Sequence, residues 1–307
     1  MDNLTHSLIG AALGQAGLKR KTGLAMPALI MAANLPDIDA GCVVYGIESL
    51  AMRRGLTHGP LALAILPLLL AGLLWWFDRW QTGRGTRPET RLPVHFGWLV
   101  ALCYLGTFSH PLFDWFNTYG IRLLEPFSSR WFHGDTLFII DIWILIALGT
   151  GLWRSRRRER ENKPQWAFPA QIALTVVVAY VGLNMAISRA SVAAVRAIDP
   201  QIDLAVASPV PFAFWRRDVL WRSDDGYYGT IPCDFAQCQR YPRVIRKTEM
   251  AVPRIGEFSA GNPAAQAFLF WSRMPVAETG PKGILLKDQR FMDSPARSNF
   301  TVELKPR

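Results

Sequence analysis

Residues 59–77, 92–113 and 164–188 contain no Asp, Glu, Lys or Arg, and residues 136–153 contain a single acid, Asp141. Each run approaches the ~20 residues that a helix needs to cross ~30 Å of hydrocarbon, so a membrane-embedded α-helical bundle is the expected frame. Two shorter apolar runs precede them, residues 4–18 and 23–33. Being too short to span, these are expected to re-enter or to pack against longer neighbours, giving about four to six embedded helices in all. The opening Met1-Asp-Asn-Leu-Thr-His lacks the basic start of a cleavable signal.

Charge is distributed unevenly around these runs. The chain is formally +10 with only 19% charged residues among 307. The excess lies in Lys19-Arg20-Lys21, in residues 78–91 and in residues 154–163, where Arg154-Ser-Arg-Arg-Arg-Glu-Arg is densest. These are alternate loops, which the positive-inside rule places in the cytoplasm. Residues 1–6, 34–58, 110–135 and everything after about 188 then face the periplasm. Basic residues spread over loops of a membrane protein do not form the stripe of a nucleic-acid binder, and no nucleic-acid partner is expected. Trp75, Trp76, Trp131, Trp153 and Trp166 sit near the run ends, as an interfacial belt does.

The pattern changes from Arg189 onward. Phe212-Ala-Phe-Trp, Tyr227-Tyr-Gly-Thr-Ile, Ala267-Phe-Leu-Phe-Trp, Gly283-Ile-Leu-Leu and Asn299-Phe-Thr-Val-Glu-Leu alternate with turn residues. Residues 1–188 are therefore expected to form the membrane domain and residues 189–307 a small antiparallel β-rich domain outside the cytoplasm. Cys233 and Cys238 lie in a polar, turn-rich stretch with no His beyond His133 to complete a metal site. A local disulfide is favoured there over free thiols, whereas Cys42 and Cys103 read as small hydrophobes.

The candidate chemistry lies on the periplasmic side of this topology. His6 heads the first apolar run, Asp37 and Asp39 leave the second, and His58 opens the third. His110 and Asp114 close the fourth at a spacing that stacks them on one helix face, and His133, Asp135 and Asp141 surround the start of the fifth. His95 lies at the cytoplasmic start of its helix and reads as interfacial or capping. Ionisable groups at membrane depth are costly and usually have partners. A mixed imidazole and carboxylate set suits zinc and tolerates manganese or iron, as one ion or as two sharing a carboxylate. Such a cation lowers the pKa of water and polarises phosphoryl oxygens.

Asp2-Asn-Leu-Thr-His6, Asn34-Leu-Pro-Asp37-Ile-Asp39, Arg54-Gly-Leu-Thr-His58 and Ser109-His110 through Asp114 resemble the YdjM-like family of inner-membrane-associated metal-dependent hydrolases. The likeness covers roughly residues 1–155, and residues 117–120 and 137–141 resemble its longer members. More distantly, the order is similar to that of the zinc-dependent phospholipase C and single-strand nuclease superfamily. That likeness implies His6, Asp37, His58 and His110 as metal ligands, with Asp114 bridging two ions. The chain lacks the later His-x3-Glu of that superfamily, and Pro111 interrupts the donor pattern of the helix between His110 and Asp114.

The expected activity is hydrolysis of a phosphoester in a membrane lipid or lipid-linked substrate. Asp39 and Asp141 would orient ligands or act as general base, and Arg54, or its neighbour Arg53, would hold a phosphate. The competing reading is a non-enzymatic structural or stress-response protein whose polar cluster holds the bundle together. A transporter fits less well, since the ionisable groups gather at one end and not at the midplane.

Overall fold

The computed structural model describes residues 1–242, 244–250, 252–281, 283–294 and 297–304. A helical N-terminal region comprises α1 (Asn3–Gln15), α2 (Ala25–Ala32), α3 (Ser49–Met52), α4 (Pro60–Gly83), α5 (Phe96–Trp115), α6 (Ile142–Arg160) and α7 (Phe168–Ile198). Antiparallel β-sheets follow, as the change of pattern predicts. Two compact units result: Met1–Ile38 with Arg54–Leu183, and Asp39–Arg53 with Asn184–Arg307.

Among the described residues, four segments are long and apolar enough to cross a membrane: Ala25–Met52, α4, α5 and α7. Only 22% to 39% of each apolar window is buried within protein, so most of these surfaces are left for lipid. The set differs from the expected one. Residues 136–153 are not among the four: the Asp141 carboxylate accepts hydrogen bonds from the Trp143 and Ile144 amides and starts α6 at Ile142, which shortens its apolar part. The apolar part of α6, residues 142–153, then covers only about 18 Å before the arginines begin. In its place, α2 is extended by a 3₁₀ stretch over Leu35–Glu48, broken at the non-helical Gly46, and by α3.

In the first unit, α2 lies against both α1 and α5 at very close range. A Cβ on Gly10 of α1 would come within 2.5 Å of the Leu29 carbonyl oxygen, and one on Gly106 of α5 would meet Ala32 Cβ at 2.7 Å. Neither site has room for a side chain. Ala28, Leu29 and Ala32 are consequently fully buried, and Leu70, Ala71 and Leu74 of α4 close the core against Leu99 and Cys103 of α5. Cys103 is indeed a small buried hydrophobe. The expected disturbance at Pro111 does not end the helix, since α5 continues through it to Trp115.

The loops of this unit gather at two ends. At one, Gly23 N donates to Pro93 O (2.9 Å), His95 N to Thr22 Oγ1 (2.8 Å) and Gln171 Nε2 to Ala16 O (2.9 Å), while Lys19 pairs with Glu159 at 2.5 Å. At the other, Asp2 N donates to Ile139 O (3.2 Å), Asn34 Nδ2 to Ser7 Oγ (3.0 Å) and Arg122 N to Arg54 O (2.9 Å). The basic segments thus share one end, and His6, His58, His110, Asp37 and Asp114 the other.

In the second unit, β1 (Ile202–Val210), β2 (Ala213–Ser223), β3 (Tyr227–Asp234) and β4 (Gln237–Cys238) form an antiparallel sheet in that order, with β5 (Val244–Lys247) also on β3. Cys233 and Cys238 are register partners across the tight β3–β4 turn and form a disulfide. Phe235 and Ala236 at its tip both have positive φ, a conformation that non-glycine residues hold only when their surroundings require it. Helices α8 (Val252–Phe258) and α9 (Pro263–Trp271) precede a second sheet of β6 (Pro275–Gly280), β7 (Gly283–Asp288) and β8 (Thr301–Leu304). The stretch Ala267–Trp271, expected as a strand, is the end of α9. Its helix begins at Asn262, whose side chain accepts from Ala265 N, with Pro263 in the first turn. Residues 39–53 join this unit because α3 packs on α9, a long-range contact that no linear division at residue 188 anticipates.

Candidate metal centre

The Asp2 side chain accepts from Leu4 N and Thr5 N, so α1 starts at Asn3 and His6 falls in its first turns, buried. Asp37 follows the end of α2. His58 ends a short 3₁₀ turn just before Pro60 opens α4, and His110 and Asp114 lie one turn apart near the end of α5. Separate stretches of chain thereby deliver these groups to one place.

Asp114 is at the centre and fully buried. Its Oδ1 lies 3.3 Å from His6 Nε2 and accepts from the Met1 nitrogen. Its Oδ2 lies 3.5 Å from His58 Nε2, 3.5 Å from His110 Nε2 and 3.1 Å from Arg54 Nε. Asp37 Oδ1 reaches His110 Nε2 at 3.5 Å, and the His6 and His110 rings stack with centroids 3.8 Å apart. One donor atom from each of Asp37, His58, His110 and Asp114 can be chosen so that all lie within 4.8 Å of one another.

Two features fit this group to a divalent cation. First, tetrahedral N and O ligands of a metal at ~2.0–2.1 Å are roughly 3.3 Å apart, close to the 3.5 Å separations seen here. Second, His110 Nδ1 sits 2.7 Å from the Ala33 carbonyl, which can only accept. That contact puts a ring proton on Nδ1 and makes Nε2 the nitrogen that faces Asp37, Asp114 and His58, where a cation could take it as a ligand. Asp114 Oδ2 faces the same space, with the Arg54 guanidinium at 3.1 Å on its other side.

The other predicted residues are placed differently. His6 touches Asp114 and His110 but is not in the four-donor group. Arg54 is directed inward: its guanidinium meets Asp114, reaches Gly120 O at 3.4 Å and lies over the Tyr119 ring at 4.7 Å. Asp141 caps α6 and accepts from the Tyr180 hydroxyl at 3.0 Å, a framework role. Asp39 is buried, outside the donor group, and belongs to the second unit. His133 packs so closely on Gly120 that a Cβ there would meet its Nε2 at 2.5 Å. The Ala33 carbonyl and Tyr119 were not anticipated: a backbone acceptor and an aromatic face beside a cation carry no sequence signature of their own.

The fold and this centre define a class: a membrane-embedded helical protein with a buried His and Asp cluster capable of holding a metal ion. The chain belongs to the YdjM inner membrane protein family, which matches residues 1–189. No curated protein and no solved structure matches the chain.

Proposed function

We propose that the chain is a membrane-bound metal-dependent hydrolase acting on a phosphoester of a lipid or lipid-linked substrate at the periplasmic face. The observation that carries this reading is the convergence of three buried donors and the half-buried Asp37 from three stretches of chain, with a backbone carbonyl seating the His110 ring. Zinc is the preferred ion for two imidazoles and two carboxylates, and manganese or iron are compatible. Held by Asp37, His58, His110 and Asp114, such an ion supplies Lewis acidity and an activated water. Asp114 neutralises the centre and orients three imidazoles, and Arg54 holds Asp114 in place. Asp37, with 9% of its side chain exposed while the other three donors are fully buried, is the donor open to an arriving substrate. The periplasmic orientation rests on the gathering of Lys19–Lys21 and the other basic loops at the opposite end, and it agrees with the Cys233–Cys238 disulfide.

Elemental analysis of the detergent-purified protein tests the proposal. Wild type is expected to retain about one or two divalent ions per chain through washing, and His110→Ala to lose them. A chelator should abolish phosphoester hydrolysis, and zinc or manganese should restore it. The ion pair of Arg54 with Asp114 favours a second reading, a non-enzymatic protein in which this cluster is a folding element. It requires wild type to be metal-free after washing, with no chelator effect.

A further inference from the structure

At the basic end, residues of α6 and α7 and of the turn between them line a groove of about 690 Å³. Its lining is apolar on Gly151, Ile172 and Val176 and cationic along a rim of Arg154, Arg157, Arg158 and Lys163, set against one carboxylate, Glu161. Glu161 is already engaged, accepting from Arg157 Nε at 2.9 Å and from Lys163 Nζ at 2.6 Å. Among the described residues, neither Arg154 nor Arg158 has a carboxylate partner, so the rim keeps an unbalanced positive charge.

The groove is shaped by local sequence. Gly151 of α6 meets Ala173 of α7 so closely that a Cβ on the glycine would lie 2.4 Å from the alanine Cβ, and beside the arginines Ser155 Oγ donates to Trp166 O at 2.5 Å and Arg158 Nη2 to Pro164 O at 2.8 Å. Ile172, half exposed at 47%, and Val176 at 49% continue the apolar wall along α7. Trp153, at 59% exposure, marks the level where the apolar part of α6 gives way to its arginines. A hydrocarbon-facing slot topped by guanidinium groups is complementary to one kind of molecule: acyl chain below, phosphate above.

We propose that this groove is a binding site for an anionic phospholipid, with its phosphate on Arg154 and Arg158 and an acyl chain along Gly151, Ile172 and Val176. The site lies at the opposite end of the bundle from the metal cluster and does not depend on any activity there.

The test is native mass spectrometry of the full chain in detergent, titrated with dioleoyl-phosphatidylglycerol or with dioleoyl-phosphatidylcholine. Wild type should bind phosphatidylglycerol saturably and in preference to phosphatidylcholine. R154Q/R158Q should weaken that binding by about fivefold per arginine removed. T150W, which places a ring from an exposed position into the groove, should abolish it while leaving all charges intact. R79Q/R84Q removes the same charge from another basic loop and should leave binding unchanged. Equal binding of the two lipids would overturn the site. So would an equal loss in R79Q/R84Q, which would signify general charge attraction, or retention of binding in both groove variants.

Discussion

The two ends of the helical unit both carry charge, and they hold it by opposite means. At the basic end, Lys19 and Glu159 pair while 23% and 34% exposed, Gln15 adds a bond to the same carboxylate, and Arg157 and Glu161 pair on the surface. Solvent and headgroups screen such contacts, so each one matters little and any partner of the right sign can replace it. At the other end, Asp114, His6, His58 and His110 have no solvent contact. Each group there is held by a specific neighbour, and removal of one leaves the others uncompensated. Charge that gives a membrane protein its orientation is thus interchangeable, and charge that builds a site is not.

The largest expected effect breaks the buried end. Asp114→Asn removes the buried carboxylate on which His6, His58, His110 and Arg54 converge, and should cost on the order of 3–5 kcal/mol in thermal unfolding of the detergent-solubilised protein, together with metal retention. An unchanged melting temperature would show that the two ends do not differ as described. Next comes the framework: Gly106→Val must push α5 from α2, at about 1–3 kcal/mol, and should lower metal content because the Ala33 carbonyl moves from His110. If stability falls but metal content does not, the backbone contact does not orient the ring.

The smallest effect belongs to the exposed pair. Glu159→Gln should change stability by less than about 1 kcal/mol, and added salt should diminish even that. Its titration sharpens the same point. Burial pushes the Glu159 carboxyl up, but the bonds from Lys19 and Gln15 outweigh it and hold its pKa below the ordinary 4.5. Its contribution is therefore fully present above pH 4.5 and is lost as pH falls through the lowered value. Melting curves of wild type and Glu159→Gln should converge in acid, whereas a difference that grows on acidification would contradict the assigned pairing.

Much of this contrast can be read in the unfolded chain. Apolar runs opened by His6 and His58 and closed by His110 and Asp114, with basic loops at alternate junctions, already separate the two ends, because hydropathy and charge act locally. What could not be read depends on tertiary partners. Arg54 follows Arg53 and looks like a surface arginine, yet it turns inward because Asp114 and the Tyr119 ring receive it. Asp141 has the chemistry of a catalytic carboxylate, but the amides of Trp143 and Ile144 engage it. Ala267–Trp271 is apolar enough for a strand, and the cap at Asn262 together with burial of Phe268 and Trp271 makes it helical.

Ala33 has a side chain that does nothing for chemistry, yet its main-chain oxygen decides which nitrogen of His110 carries the proton. Every amino acid possesses that oxygen, so the instruction cannot be erased by exchanging the residue's functional group; it can be erased only by displacing the peptide. The orientation of the imidazole is therefore inherited from the seating of a neighbouring helix, and bulk introduced one turn away would silence it as surely as deleting the ring.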